Sequence, residues 1–132
     1  MRPETTGVGS VSRVALVLEI FDKGSVTCEL VRHLAPTTSR SILNGLPVQG
    51  RVHRYADRFA YFETGLVIGA EKQRNQFKRG DMGLLVSNGS ICVFLKDSAG
   101  QPMNPLGRVT VNIGVVESST PGDVMILRNP IA

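Results

Sequence analysis

Hydrophobic and polar positions alternate with a period of two along much of this chain, most clearly between Lys78 and Glu117. Met82–Ser87 reads as a strand rich in Leu and Val, Asn88-Gly89 as a tight turn, and Ser90–Leu95 as the returning arm. Asn-Gly between two apolar runs predicts a hairpin, because both residues tolerate positive φ. Gly100, Pro102 and Pro105 mark a loop, after which Arg108–Glu117 reads as a long third strand. In it Val109, Val111, Ile113 and Val115 share one face, while Thr110 and Asn112 share the other.

The earlier part of the chain repeats the pattern. Arg13–Phe21 is a strongly apolar strand, Asp22-Lys23-Gly24 a turn, and Ser25–Val31 returns with Val26, Cys28 and Leu30 on one face. Between Ala35 and Asn44 the period changes. Pro36 suits the first turn of a helix, where its missing N–H is no loss. Ile42, Leu43 and Leu46 supply a short apolar stripe, and Gly45 is a natural stop. Beyond Pro47, strands are predicted at Gly50–Tyr55 and Phe59–Glu63, joined at Ala56-Asp57-Arg58, with a further short strand at Leu66–Ile68. Residues 69–79 are polar and basic and read as the longest surface loop. Ser118–Asp123 is a turn, and Val124–Leu127 a last strand that pairs near the first. Eight or nine short strands and one short helix predict a mainly β protein. Its architecture is a small closed or nearly closed antiparallel β-barrel, with the helix plugging one open end.

Composition narrows the class. With 132 residues, 42% hydrophobic and 20% charged, the chain reads as one globular domain over residues 13–132, behind a flexible lead-in over residues 1–12. Gly7 and Gly9 precede the first strand, whereas a nucleotide loop follows one. No apolar run approaches a membrane span and no signal-peptide pattern is present, so a cytoplasmic location is expected. Cys28 and Cys92 lie inside apolar strand patterns and are expected to be buried, reduced thiols. No CxxC or HxxxH spacing occurs, and His33 and His53 are far apart, so neither a metal nor a cofactor is expected.

The net charge of +4 is concentrated in Arg51, Arg54, Arg58, Lys72, Arg74, Lys78 and Arg79, opposed by Asp57, Glu63 and Glu71. Such a cluster suits a phosphate backbone. The chain has no Trp and only 5% aromatic residues, with none alternating with the basic ones in a stacking pattern. A solvated basic face accounts for the charge, and a nucleic-acid partner is not expected.

The order strand, turn, strand, then Ala35–Pro47 (APTTSRSILNGLP) resembles the opening of cyclophilins. Val52-His53-Arg54-Tyr55-Ala56-Asp57-Arg58-Phe59 resembles the cyclophilin stretch in which a Phe follows His-Arg five residues after the Arg. The short length is more similar to small prokaryotic cyclophilin-like proteins, as are Gly80-Asp81, the compact Leu84–Leu95 hairpin and Val111-Asn112-Ile113-Gly114. The resemblance covers residues 13–117. It implies that Arg54 matches the arginine that hydrogen-bonds the prolyl amide, and Phe59 the aromatic against the proline ring. Rotation about that bond faces a resonance barrier of roughly 18–20 kcal/mol, which an arginine at the prolyl nitrogen weakens.

The sequence also departs from the family. The Gln expected three residues after the Phe is Phe62, the loop between the hairpin arms shrinks to Ser87–Ser90, and Leu84-Leu85 stand where relatives carry bulky aromatics. Isomerase activity is therefore expected to be absent or far below that of a true cyclophilin.

Three function classes follow. The favoured one is a cyclophilin-like binding module for a small carbonyl- or carboxylate-bearing molecule or a peptide, with Arg54, Phe59, Tyr61, Phe62 and Phe94 lining one concavity. The others are a weak peptidyl-prolyl cis–trans isomerase using Arg54 and Phe59, and a basic-patch nucleic-acid binder. A purely structural reading also stands, with Arg54 an exposed residue paired to Asp57 or Glu63 and Phe59 a core residue.

Overall fold

The computed structural model describes residues 12–130, so the lead-in assigned to residues 1–12 lies almost wholly outside the described residues. Among the described residues there are ten strands: β1 (Arg13–Ile20), β2 (Gly24–Val31), β3 (Val48–Arg51), β4 (His53–Tyr55), β5 (Phe59–Glu63), β6 (Arg74–Phe77), β7 (Asp81–Leu85), β8 (Ser90–Phe94), β9 (Ser98–Val111) and β10 (Val124–Arg128). Two α-helices accompany them among these residues, α1 (Pro36–Gly45) and the short α2 (Ile113–Glu117), with a 3-10 turn at Arg32–Leu34. The strands hydrogen-bond in the order β3-β10-β1-β2-β9-β7-β8-β5-β4, with β6 attached to β9.

The protein is mainly β and antiparallel, as the alternation predicts. The expected closure is not made by hydrogen bonds, because the path ends at β3 and β4, which form no ladder with each other. Between them Val52 turns its backbone elsewhere, donating to Asp123 O at 2.7 Å and accepting from Gly122 N at 3.0 Å. At this gap β3 lies hard against β5. A Cβ at Gly50 would come within 2.6 Å of the Glu63 carbonyl oxygen, so only glycine allows the approach.

The main core collects the inward positions of the strands: Leu16, Leu18 and Ile20 of β1, Val26, Cys28 and Leu30 of β2, Ala60 and Phe62 of β5, and Ile91 and Val93 of β8. The helix α1 begins at Pro36, as its fixed φ predicts, and sets Ile42 fully into this core.

Four local expectations change. First, Gly100, Pro102 and Pro105 lie inside β9 instead of a loop. The first part of β9 leaves the main sheet to pair with β6, and the register against β7 shifts between Met82 and Gly83, an irregularity of the kind that accommodates proline. Second, the strand expected to run to Glu117 stops at Val111. Asn112 takes a left-handed conformation (φ 68°), the chain reverses, and Ile113–Glu117 form α2 with Val116 buried. Third, the expected polar loop contains β6, whose sequence Arg-Asn-Gln-Phe has no alternation because three of its four residues are exposed. Fourth, Leu66–Ile68 forms no strand, although Ile68 is buried in the core.

Candidate functional site

The β4–β5 hairpin organises the outer face of the sheet. Its tight turn needs Ala56 at φ 50°, and Arg58 N closes it by donating to Tyr55 O at 3.0 Å. Leu95 N donates to Arg58 O at 2.7 Å, and Lys96 pairs with Asp57 at 2.6 Å, fastening the turn to the end of β8. The register sets His53 opposite Tyr61, Arg54 opposite Ala60, and Tyr55 opposite Phe59. Residues directly opposite share a face, and neighbours along a strand alternate. His53, Tyr55, Phe59 and Tyr61 therefore share the outer face, while Arg54 turns inward with Ala60.

Strands β8 and β6 extend the outer face. Phe94 lies opposite Phe59 in the ladder, with ring centroids 5.1 Å apart. Phe77 of β6 stacks on Phe94 at 4.6 Å with the planes only 5° apart, and Tyr55 stacks on Phe59 at 5.1 Å. The Arg74 guanidinium sits 5.4 Å from the centre of the Phe77 ring. Phe59, Phe77, Cys92, Phe94 and Met103 thus form a second buried cluster apart from the main core. Each ring pair contributes about 0.5–1.5 kcal/mol beyond its buried area.

Above this cluster lies a cleft of about 230 Å³. Tyr55, Phe59, Phe77 and Phe94 wall it, Arg58, Asn75 and Gln101 bring polar ends to it, and residues 98–100 border it. The cleft opens onto a wider groove of about 860 Å³ that follows β6 and shares Asn75, Phe77, Ser98 and Ala99 with it.

The segment leading into β6 is held by a buried polar network. Glu71 accepts from Thr37 N at 3.0 Å, Thr38 N at 2.8 Å and Thr38 Oγ1 at 2.7 Å, all at the start of α1. Asn104, fully buried, accepts from Glu71 N and donates to Thr38 Oγ1 and Gly69 O. Desolvation works against the Glu71 carboxylate, but the Thr37 and Thr38 hydrogen bonds prevail and hold its pKa below the ordinary value. This clamp fixes where the chain enters β6, and hence where Asn75 and Phe77 meet the cleft.

Only some of the sequence-predicted residues converge. Phe59 and Phe94 wall the cleft. Tyr61 packs on the same face, beside Phe59 at 5.7 Å and stacked on His53 at 5.2 Å, outside the cleft lining. Phe62 faces the opposite way and is fully buried in the main core. Arg54 also lies on that side, donating from Nη1 to Ser119 O at 2.8 Å, with its Nε buried and unpartnered. Arg54 and Phe59 therefore do not share a concavity. Nor does Arg54 pair with Asp57 or Glu63; its acceptors are the carbonyls of Ser119 and, at 3.5 Å, of Glu117 at the end of α2. Sequence reasoning passed over Tyr55, Arg58, Asn75, Phe77 and Gln101. The available signal was the pair Arg58-Phe59 closing a tight turn, and a lone Phe77 set among polar residues.

Other parts of the basic cluster are engaged locally. Arg51 donates to Gly122 O at 2.9 Å, Lys72 to His33 O at 3.3 Å, and Arg79 pairs with the Glu117 carboxylate. Cys28 and Cys92 are free and buried. Burial, with Glu29 nearby, pushes the Cys28 thiol up to about 12, and burial raises Cys92 as well, so neither is a nucleophile near neutral pH. Among the described residues no group of three or more His, Cys, Asp or Glu side chains comes together.

A family model described as cyclophilin-like matches residues 13–128. No curated protein matches. The fold is similar to the solution structure of a hypothetical protein from Archaeoglobus fulgidus, with a TM-score of 0.74 and 20% identity over 90% of this chain and 96% of that one. It is also similar to McbB, solved in complex with tryptophan, with a TM-score of 0.70 and 16% identity. That match covers 89% of this chain and 45% of McbB.

Proposed function

Because the chain belongs to the cyclophilin-like family, we propose that it is a binding module of that family, holding a small or peptidic carbonyl-bearing ligand in the aromatic cleft. The observation that carries this reading is the continuous ring array Tyr55–Phe59–Phe94–Phe77, with unengaged polar groups at its edge. Apolar walls with a few placed polar groups are the usual makeup of a small-molecule site. McbB, of similar fold, was solved with tryptophan, and a flat ring of that kind suits such walls. The geometry favours binding over prolyl isomerisation. A guanidinium would have to reach the prolyl nitrogen beside Phe59, and Arg54 donates to Ser119 on the other side of the sheet.

Among the described residues no helix is long and apolar enough to cross a membrane. Two free, buried thiols suit a reducing compartment, and we place the module in the cytoplasm.

A thermal-shift screen of small aromatic carbonyl compounds tests the reading. A ligand specific to the native state raises the melting temperature, by about 2.7 kcal/mol of stabilisation at a hundredfold excess over Kd. The expected result is a hit whose shift shrinks in Phe77→Ala and is unchanged in Arg54→Ala, each measured against the variant's own ligand-free melting temperature. A cis–trans assay on a proline peptide accompanies it. Strong acceleration that disappears in Arg54→Ala would overturn the proposal.

A further inference from the structure

We infer that the cleft selects ligands carrying a single carboxylate on a flat apolar body, and that Arg58 is the residue that anchors the charge. The inference rests on the cleft being the ligand site, and it adds the charge of the ligand and the residue that reads it.

Among the described residues lining the cleft, Arg58 is the one charged side chain; the others are aromatic, small or neutral polar. With the Arg74 guanidinium 5.4 Å from the centre of the Phe77 ring, Arg58 leaves positive potential at the cleft, whose own lining holds no carboxylate; Asp81 and Asp97 line the adjoining groove. The nearest acid along the chain, Asp57, is held by Lys96 at 2.6 Å, whose hydrogen bond and charge outweigh the weaker pull of Arg58 on it.

Arg58 shares a free fork with Arg32, Arg40 and Arg108, but of these it alone lines the cleft, and the remaining described arginines are engaged. Arg13 pairs with Glu29, Arg79 with Glu117 and Arg128 with Glu19, while Arg51 and Arg54 donate to backbone carbonyls. The Arg58 side chain makes no hydrogen bond or ion pair among the described residues. Its backbone, by contrast, is fixed on both sides by Arg58 N to Tyr55 O and Leu95 N to Arg58 O. A held backbone with a free head is how an anchoring arginine is presented. The planar guanidinium matches a carboxylate with two parallel hydrogen bonds. The Asn75 and Gln101 amides, likewise without partners among the described residues, flank the same cleft for a second polar group. The cleft of about 230 Å³ is below the usual range for drug-sized ligands, so the body is of the size of one substituted ring.

The test compares 3-phenylpropionate with its neutral isostere 3-phenylpropionamide, by NMR titration of the full chain at low and high salt. The acid is expected to bind about tenfold more tightly than the amide at low salt, in line with a charge-assisted hydrogen bond, and to lose most of that advantage at high salt. Arg58→Ala is expected to equalise the two, and Arg58→Lys to retain part of the preference. Because Arg58 is exposed at a turn, both variants are expected to fold, which an unchanged melting temperature verifies. Equal binding of acid and amide by the wild type overturns the charge selection but leaves the cleft as a binding site. A preference that survives in Arg58→Ala and disappears in Arg74→Ala overturns the assignment of Arg58. Absence of shifts at the cleft with either probe overturns both this inference and the reading on which it rests.

Discussion

The two faces of β5 pack against different materials: Ala60 and Phe62 enter an aliphatic core, while Phe59 and Tyr61 join an array of rings on the outside. The inner cluster draws on strands from β1 to β10 and is built mostly of Leu, Ile, Val and Met, with Phe62 at 0% exposure. The outer cluster has five buried members and ends in a cleft bordered by Arg58, Asn75 and Gln101, whose side chains make no hydrogen bond among the described residues. Interior packing of the first kind supplies cohesion. A ring array that stops at the surface leaves aromatic edges for a visitor. On the proposed reading, one five-residue strand separates stability from recognition by the parity of its positions.

Substitutions sharpen this contrast. The largest effect is expected for Phe62→Ala, which hollows the main core. It should lower stability by about 3–5 kcal/mol in denaturant unfolding, while any protein that remains folded keeps its cleft. Next comes Glu71→Gln, which weakens the clamp ahead of β6 and should cost about 1–2 kcal/mol. Its pH dependence has a definite sign. A carboxylate whose pKa is depressed on folding stabilises fully above its unfolded pKa, and that contribution is lost as pH falls through the folded value. Wild type and Glu71→Gln should thus differ near neutral pH and converge in acid unfolding curves. If the gap persists at low pH, the carboxylate is not what the clamp depends on.

Arg54→Ala should cost about 1 kcal/mol through the lost bond to Ser119 O, with ligand affinity at the cleft unchanged. A loss of affinity without loss of stability would return Arg54 to the site. A similarly small stability change, about 0.5–1 kcal/mol, is expected for Tyr55→Ala, whose ring is half exposed but stacks on Phe59. Binding should nevertheless weaken measurably in the same titration, since that ring is one wall of the cleft. If stability falls and binding holds, the division between the two faces fails at its outer edge.

Much of the fold was legible because burial on one face writes a period of two into β1 and β2, while β7 and β8, covered on both faces, read as apolar runs with Asn88-Gly89 marking the turn between them. What escaped lies where that cause is absent. In β6 three of four residues face solvent, so no alternation exists to be seen. In α2, Ile113 and Val116 lie one turn apart on a helix, yet Ile113 and Val115 also fit the strand pattern continuing from Val109; the left-handed Asn112 decides between them. The site was half legible for a related reason. Phe59 is singled out by the resemblance to cyclophilins, and Phe94 groups with it as an aromatic that could complete an apolar wall. The face on which Arg54 falls depends on the hairpin register, and the pairing of Tyr55 with Phe59 turns it inward.

The divided path of β9 has a consequence for how this molecule can change over time. Its second half belongs to the main sheet, while its first half departs with β6 as a two-stranded arm, and that arm supplies one side of the cleft. Arg74, Asn75 and Gln76 are exposed, and the pairing is already irregular between Arg74 and Gln76. Substitutions there disturb little packing, so they alter what the cleft meets while the scaffold beneath keeps its cohesion. If the cleft is a ligand site as proposed, its preference is free to drift on the arm, one exposed residue at a time, and selection need not reinvent the sheet to find a new occupant.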